Sequence, residues 1–278
     1  MEKIHYCIGL PRTCSTVLMR LLGQNPKIFT SNTCPLPYFI DACHTKLGSQ
    51  REILAMDMEL SNKAYLNFLY GGIKSWFETL TDKPIVISKS KMWATFFPHT
   101  FAFDNTSRYI VLVRDLRDIF CSYEVQTWRR PMLKETYQQV FEERVKKMVD
   151  PAAPDKLGPW LLRISHIMET ARKNLRNFMF IRQEDFTAHP KEHLEDIYKF
   201  IEEKNFEHDL NNLPDAAYYE HDAIYQQPIS HKVRKKLEDI KPRWPSLLTK
   251  EESAYFLDKF EWYYKLFYPE FLQKNVNG

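Results

Sequence analysis

The chain has 278 residues, of which 44% are hydrophobic, and a formal net charge of +3. This length gives one large domain or two small ones, and the near balance of charge argues against a broad nucleic-acid-binding surface. The five cysteines form no CxxC pair, so we expect reduced thiols rather than a zinc site or a disulfide framework. We find neither a signal-peptide pattern nor an apolar run of about 18 residues, and we therefore expect a soluble, cytoplasmic protein without a membrane span.

Short apolar runs alternate with segments of helical spacing, which predicts an α/β fold. The predicted strands are residues 4–8, 85–87, 109–113 and 178–181. The predicted helices are residues 15–24, 58–80, 133–148, 159–174, 191–204, 231–240 and 250–267. Such alternation favours right-handed crossovers and a mainly parallel sheet with helices on both faces, which is a three-layer arrangement. We expect a single domain over residues 1–278, with a helical cap from about residue 205 to the end.

The first motif, "GLPRTCST", follows the first predicted strand and opens a helix. Compared with the Walker A pattern GxxxxGK[ST], Gly9 and Thr16 are in place, but Cys14 replaces the second glycine and Ser15 replaces the lysine. Backbone N–H groups and a helix N-terminus still favour an anion here, and Arg12 adds a positive charge. The alternative is an ordinary strand-ending turn with Ser15 as the helix cap. The loop alone indicates an anion site without naming the anion.

The second motif, "RYIVLVRDLRDIFCSYE", places Arg114 directly after a predicted strand and Ser122 eight positions later. A guanidinium and a hydroxyl together suit a phosphate monoester. The alternative is an ion-paired surface formed by Arg114, Asp115, Arg117 and Asp118. Because both motifs follow strand ends, they lie where parallel sheets bind ligands.

Together these motifs resemble those of the sulfotransferase family, which uses 3′-phosphoadenosine 5′-phosphosulfate (PAPS). "GLPRTCST" is similar to the family's GxPRSGTT, and "RDLRDIFCSYE" is similar to its RDPRDxxxSxY. A third stretch, "FMFIRQEDFTAHPKEHLEDIYKFI", resembles the family's strand–YEDL–DP–helix segment, with Gln183 in the tyrosine position. The resemblance implies a P-loop NTPase-like fold and a metal-independent transfer of sulfonate from PAPS. The acceptor that it implies is a hydroxyl or amine, and whether this belongs to a small molecule, a glycan or a peptide stays open.

The resemblance also implies roles for individual residues. The loop containing Arg12 would hold the 5′-phosphosulfate, while Arg114 and Ser122 would hold the 3′-phosphate. The basic stretch "PISHKVRKKLEDIKPRW" would close over the nucleotide, although a solvated helix face explains its charges equally well. The predicted cofactor-binding residues are Arg12, Thr13, Cys14, Ser15, Thr16, Arg114, Ser122, Ser230 and Arg234. Cys14 stands where the family has glycine, so it must avoid a glycine-favouring conformation or accept backbone strain.

Sulfonate transfer also requires charge stabilisation and a base for the acceptor. In "IVISKSKMWATFFP", Lys89 resembles the family lysine that stabilises the leaving oxygen. Lys91 falls where cytosolic members have a catalytic histidine, but an ordinary lysine is a poor base near neutrality. Other members use a glutamate in the region that here reads "TSNTCPLPYFIDACH", where Asp41 and His44 are the titratable groups. The base stays open, and the predicted catalytic residues are Arg12, Lys89, Lys91 and His44.

Two further functions fit the same motifs. One is a degenerate P-loop kinase or NTPase, against which the missing lysine argues. The other is a non-catalytic binder of phosphorylated or sulfated partners that keeps the pocket without a base. Four aromatic residues near Lys89 and Lys91 in the sequence either line an acceptor pocket or, as the stronger expectation, pack in the core. They are Trp76, Trp93, Phe96 and Phe97.

Overall fold

The computed structural model describes residues 1–31, 33–47, 50–128, 140–152, 157–215 and 235–273. Its centre is a parallel five-stranded sheet with strand order β2-β3-β1-β4-β5. The strands are β1 (Lys3–Gly9), β2 (Ile28–Thr30), β3 (Ile85–Lys89), β4 (Tyr109–Val113) and β5 (Phe178–Arg182). Four of them confirm predicted strands, and the short β2 was not predicted.

Helices connect the strands and follow the last one. They are α1 (Ser15–Leu22), α2 (Leu36–Leu47), α3 (Arg51–Leu54), α4 (Met58–Leu80), α5 (Trp93–Phe103), α6 (Leu116–Trp128), α7 (Phe141–Met148), α8 (Gly158–Ala171), α9 (Gln183–Ala188), α10 (Pro190–Phe200), α11 (Trp244–Leu247), α12 (Lys250–Lys259), α13 (Glu261–Phe267) and α14 (Pro269–Gln273). None of those among the described residues is long and apolar enough to span a membrane.

Several helix predictions need correction. The predicted helix 250–267 is interrupted at Phe260, where the backbone leaves helical geometry (φ −116°, ψ 32°), so it forms α12 and α13. Residues 235–240 are not helical, although they belong to the predicted helix 231–240, and the first part of that prediction lies outside the described residues. Likewise α7 covers only the last part of the predicted helix 133–148, whose beginning the structure does not describe. The helices that were not predicted are α2, α3, α5, α6, α9, α11 and α14.

The sheet separates two hydrophobic clusters because side chains alternate between its faces. Tyr109, Val111 and Val113 of β4 join the cluster formed with α4, α5, α8, α12 and α13. Ile110 and Leu112 of the same strand join the cluster formed with α1, α9 and α10. Helices therefore cover both faces, which confirms the three-layer α/β prediction.

The aromatic residues considered for an acceptor pocket pack in the first cluster. Trp93, Phe96 and Phe97 of α5 are buried, and Trp76 of α4 packs against the same cluster while partly exposed. The indole N–H of Trp93 donates to the Ser88 hydroxyl at 3.0 Å, so its polar atom is also satisfied inside. Core packing was the stronger expectation for these residues, and the structure agrees with it.

The charged residues of the second motif fasten the C-terminal helices to the sheet. The Arg117 guanidinium binds both oxygens of the Asp115 carboxylate, with Nη2 2.6 Å from Oδ2, and stacks 3.7 Å from the Trp244 ring centroid. Oδ1 of Asp118 accepts the backbone N–H groups of Arg243 and Trp244 at 2.8 and 3.0 Å. These charged side chains are buried, so the alternative of an ion-paired surface is wrong.

Tyr263 of α13 fixes the backbone at the tip of β4. Its buried hydroxyl donates to the Arg114 carbonyl at 2.9 Å and accepts the Arg114 N–H at 3.3 Å.

We expect Tyr263→Phe to lower the free energy of unfolding by about 1–3 kcal/mol, because two buried backbone groups lose their partner. Tyr255→Phe is the matched control. Its hydroxyl accepts a surface hydrogen bond from Lys259, and its loss should change stability by less than about 0.5 kcal/mol. Urea unfolding measures both, and equal stabilities of the two variants would contradict the assigned role.

Candidate functional site

The loop between β1 and α1 is tightly wound and has two residues in the left-handed region. Arg12 has φ 67° and Cys14 has φ 58°. A Cβ at Gly9 would lie 2.8 Å from the Thr13 hydroxyl oxygen, so glycine is required there for close approach. The same hydroxyl donates to the Leu10 carbonyl at 2.8 Å and closes the turn. Left-handed residues in such a turn direct backbone N–H groups into a concave, anion-binding surface.

Cys14 adopts the glycine-favouring conformation, with φ 58° and ψ 20°, directly before α1. Of the two outcomes expected from the sequence, the structure shows backbone strain. A left-handed L-residue costs about 1–2 kcal/mol, and glycine avoids that cost at the expense of chain entropy. We expect Cys14→Gly to raise the free energy of unfolding by up to about 1 kcal/mol and Cys14→Val to lower it. Urea unfolding of both variants checks this, and a valine variant as stable as the glycine variant would show that the loop relaxes.

The two sequence motifs meet in space at the carboxyl edge of the sheet. Arg114 follows β4, and its Nη1 donates to the Arg12 carbonyl at 2.8 Å. The Nε of Arg12 in turn donates to the Ser122 hydroxyl of α6 at 3.0 Å. Arg114 and Ser122 are each 6% exposed, so the two motifs meet below the protein surface; this site is called the pocket below. The buried Nε of Arg114 has no hydrogen-bond acceptor in the part of the chain that the structure describes.

Arg12 lies close enough to Arg114 and Arg243 for their positive charges to act on it. Burial and the adjacent charge of Arg114 lower the pKa of Arg12 below its usual range, and Arg243 acts in the same direction. Arg12 nevertheless keeps its charge, as arginine does in proteins. The Asp118 carboxylate lies 3.5 Å from the Arg114 guanidinium and balances part of the charge. Positively charged groups that repel one another are stabilised when an anion binds between them.

Arg243 is a further candidate site residue that the sequence analysis did not name, because its charge acts on Arg12. It lies near the end of the quoted basic stretch, in "KPRW", and its backbone N–H donates to Asp118 Oδ1. The charge run was a usable signal, but only the fold shows which of its members comes near Arg12. Ser230 and Arg234, predicted from the same stretch, lie outside the described residues.

The two lysines predicted to be catalytic lie at the end of β3. Lys89 is the last residue of this strand, and its backbone N–H donates to the Ser31 hydroxyl at 3.0 Å. Strand pairing sets Lys89 opposite Cys7, two residues before the loop begins at Gly9. Lys89 is therefore next to the anion loop. Lys91, two residues further on, has its Nζ over the Trp160 ring of α8, 4.7 Å from the centroid.

His44, in α2, lies beside the middle of α5 and not beside the first turn of α5. Its ring centroid is 5.3 Å from that of His99 and 6.2 Å from that of Tyr65 in α4. His99 is six residues into α5, so it lies about 9 Å along the helix from the end next to β3. Asp41, the other titratable candidate on α2, is exposed. Neither position matches the strand-tip placement of the other predicted residues.

The tip of β5 adds a second group that sequence reasoning did not assign. Gln183 is fully buried, and neither its amide nitrogen nor its amide oxygen has a partner among the described residues. Buried amides without partners are rare, so Gln183 is a further candidate for ligand binding. The neighbouring Glu184 accepts the Asp115 N–H at 3.0 Å and the Tyr268 hydroxyl at 2.8 Å, and burial raises its pKa.

Residues 6–236 match the family model described as the sulfotransferase domain. This match covers most of the chain, and the protein therefore belongs to the sulfotransferase family. The resemblance found in its motifs is confirmed.

Solved sulfotransferase structures share this fold. The sulfotransferase domain from the curacin biosynthetic pathway has a TM-score of 0.61 at 14% identity, covering 94% of this chain and 98% of that one. The domain from the Synechococcus PCC 7002 olefin synthase has a TM-score of 0.56 at 16% identity, covering 94% of each chain. Mouse sulfotransferase SULT7A1, complexed with PAP, has a TM-score of 0.52 at 15% identity, covering 99% of this chain and 88% of that one. At these identities the likeness establishes the fold. No curated protein sequence matches this chain.

Proposed function

We propose that the protein transfers a sulfonate group from PAPS to a hydroxyl or amine acceptor. The observation that carries this proposal is the joining of two anion-binding motifs into one pocket. Arg114 binds the Arg12 carbonyl and Arg12 binds Ser122, across more than 100 residues of sequence. A donor with phosphate groups at both ends of its ribose fits two adjoining cationic sites.

The β1 loop would hold the 5′-phosphosulfate. Ser15 and Thr16 begin α1, where backbone N–H groups are free of intrahelical partners and favour an anion. Thr13 and Cys14 would contribute through their backbone N–H groups, because the Thr13 hydroxyl already binds Leu10. Arg12 supplies the charge that the missing Walker lysine would otherwise provide.

The β4 tip would hold the 3′-phosphate. Arg114 offers a guanidinium with an unpartnered, buried Nε, and the Ser122 hydroxyl lies on the next helix. Arg243 adds positive charge from the C-terminal side of the pocket. The PAP ligand of the mouse structure, which shares the fold, supports a nucleotide of this kind. Ser230 and Arg234 stay predictions.

In the transfer step the acceptor oxygen or nitrogen bonds to sulfur as the bond between sulfur and the 5′-phosphate oxygen breaks. PAP leaves with the electron pair of that bond, and the acceptor proton passes to a base. Lys89, whose place at the end of β3 is next to the loop, would stabilise the oxygen that gains charge. Lys91 is a weak candidate for the base because the Trp160 ring favours its charged form. His44, placed along α5, is weakened as a candidate by its position.

The kinase alternative requires a lysine and a magnesium ion at the terminal phosphates. Ser15 occupies the lysine position at the start of α1, and the positive charge of the loop is that of Arg12. Together with the family match, this composition favours sulfonate transfer.

Calorimetric titration with PAP tests the proposal. We expect saturable binding in the micromolar range, and weaker binding of adenosine 5′-monophosphate, which lacks the 3′-phosphate. Absence of saturable PAP binding would refute the donor assignment. Magnesium-dependent ATP turnover would instead support a kinase. PAP binding without sulfonate transfer to water or to any acceptor would support a non-catalytic binder.

A further inference from the structure

A group of three side chains lies at the carboxyl end of β3, outside the pocket described above. Lys91 Nζ is 4.7 Å and Arg163 Cζ is 4.2 Å from the centroid of the same Trp160 ring. Trp160 is buried in the first turn of α8, and Arg163 is partly buried one turn later. Lys91, Trp160 and Arg163 are referred to below as the Trp160 cluster.

The Trp160 cluster concentrates positive charge in a partly desolvated place. Because both cationic centres lie over one ring, they are less than about 9 Å apart, comparable to the Debye length at physiological salt. No carboxylate in the described ranges lies within ion-pair distance of Arg163. Burial lowers the pKa of Arg163, and the nearby Tyr38 opposes that shift. A partly buried guanidinium without a carboxylate favours binding of an anion.

Trp160 supplies an additional donor. Its indole N–H is buried and has no acceptor among the residues that the structure describes. Buried indole N–H groups normally have a hydrogen-bond partner. Tyr38, in the first turn of α2, is 59% exposed and adds an aromatic surface near Arg163. The cluster therefore offers charge, a buried donor and an apolar contact.

The strand order places the Trp160 cluster on the acceptor side of the proposed donor site. β1 lies between β3 and β4. A nucleotide with its 3′-phosphate at the β4 tip and its 5′-phosphosulfate at the β1 tip leaves the β3 side open for the acceptor. Lys91 follows β3 by two residues, so the Trp160 cluster is on that side.

We infer that the acceptor carries an anionic group, such as a carboxylate or phosphate, which binds Lys91 and Arg163 while its hydroxyl or amine reaches the sulfur. This inference deepens the proposed function and rests on it. The anionic group serves only to bind the acceptor and takes no part in the transfer step. Sulfur bonds to the acceptor atom, PAP leaves with the electron pair of the broken bond, and the acceptor proton passes to a base. Hydroxy acids and phosphorylated alcohols are the acceptor classes that fit.

Matched pairs of probes test the inference on the full chain saturated with PAP. The pairs are 4-hydroxyphenylacetate with its amide, 3-hydroxybutanoate with its amide, and glycerol 3-phosphate with glycerol. Calorimetry should show that at least one anionic probe binds about ten-fold or more tightly than its neutral partner. The carboxylate and phosphate arms identify which anion is preferred.

Variants assign the preference to the cluster. Arg163→Met should lower the affinity for the preferred anionic probe by about ten- to hundred-fold, while Arg163→Lys should retain most of the affinity for that probe. Lys173→Met, just beyond the other end of α8, should have no effect. Equal binding of anionic and neutral probes, no binding of any anionic probe, or a preference that survives in Arg163→Met would overturn the inference. PAP affinity is measured in the same samples, and its absence would instead overturn the proposed donor site.

Discussion

Replacing Arg114 with alanine is expected to weaken PAP binding by about 2–4 kcal/mol, because a bound 3′-phosphate would lose its charged guanidinium partner. Arg114 is buried, contacts the Arg12 carbonyl and has an unpartnered Nε, so its guanidinium is already oriented in the pocket. Adenosine 5′-phosphosulfate lacks the 3′-phosphate and should lose much less affinity. Calorimetry with both nucleotides measures the difference.

Arg108→Ala is the matched control for this experiment. Arg108 precedes β4 at the opposite edge of the sheet, where its Nε binds the Phe200 carbonyl, so PAP affinity should be unchanged. Equal losses for PAP and adenosine 5′-phosphosulfate in Arg114→Ala would show that the 3′-phosphate assignment is wrong.

Replacing Lys89 with methionine is expected to lower the rate of transfer on the order of 10²–10³-fold with little change in PAP affinity. The oxygen between sulfur and the 5′-phosphate gains charge only as the bond breaks, so the contribution of Lys89 appears in kcat. Methionine keeps the side-chain length and removes the charge. The readout is PAP released from PAPS in a single turnover, with an acceptor or with water alone.

Two neighbouring lysines serve as controls for Lys89. Lys83, two residues before β3 at the opposite edge of the sheet, should tolerate the same substitution with normal turnover. Lys91→Met should raise KM for an anionic acceptor and leave kcat nearly unchanged, whereas loss of almost all turnover would identify Lys91 as the base. Near-normal kcat in Lys89→Met would rule out the assigned catalytic role.

The sequence predicted the parts of the fold that local pattern determines. Short apolar runs marked four strands, and the residues shortly after two of them marked the pocket of Arg12 and Arg114. The strand Ile28–Thr30 escaped because three residues are too few to show alternation. Helix α5 was not predicted because its own apolar residues occur on all sides of the helix and show no helical period. Pro98, a residue that usually ends helices, also lies within it.

The structural role of the second motif was beyond sequence reasoning. Arg117 looks like a surface charge, yet it is buried between Asp115 and the Trp244 ring. Its partner ring comes from more than 100 residues away, and no local pattern encodes such a pairing. The role of Tyr263 at the Arg114 backbone was not predicted for the same reason. The assignment of the whole chain to one domain stays a prediction.

A crystal structure of the complex with PAP tests the central claim most directly. We predict the 5′-phosphate in the loop of Arg12, Ser15 and Thr16, and the 3′-phosphate within hydrogen-bond distance of Arg114 and Ser122. The side of the 5′-phosphate that bears sulfonate in PAPS should face Lys89. A nucleotide bound elsewhere, or bound with its two phosphates exchanged between these sites, would contradict the account.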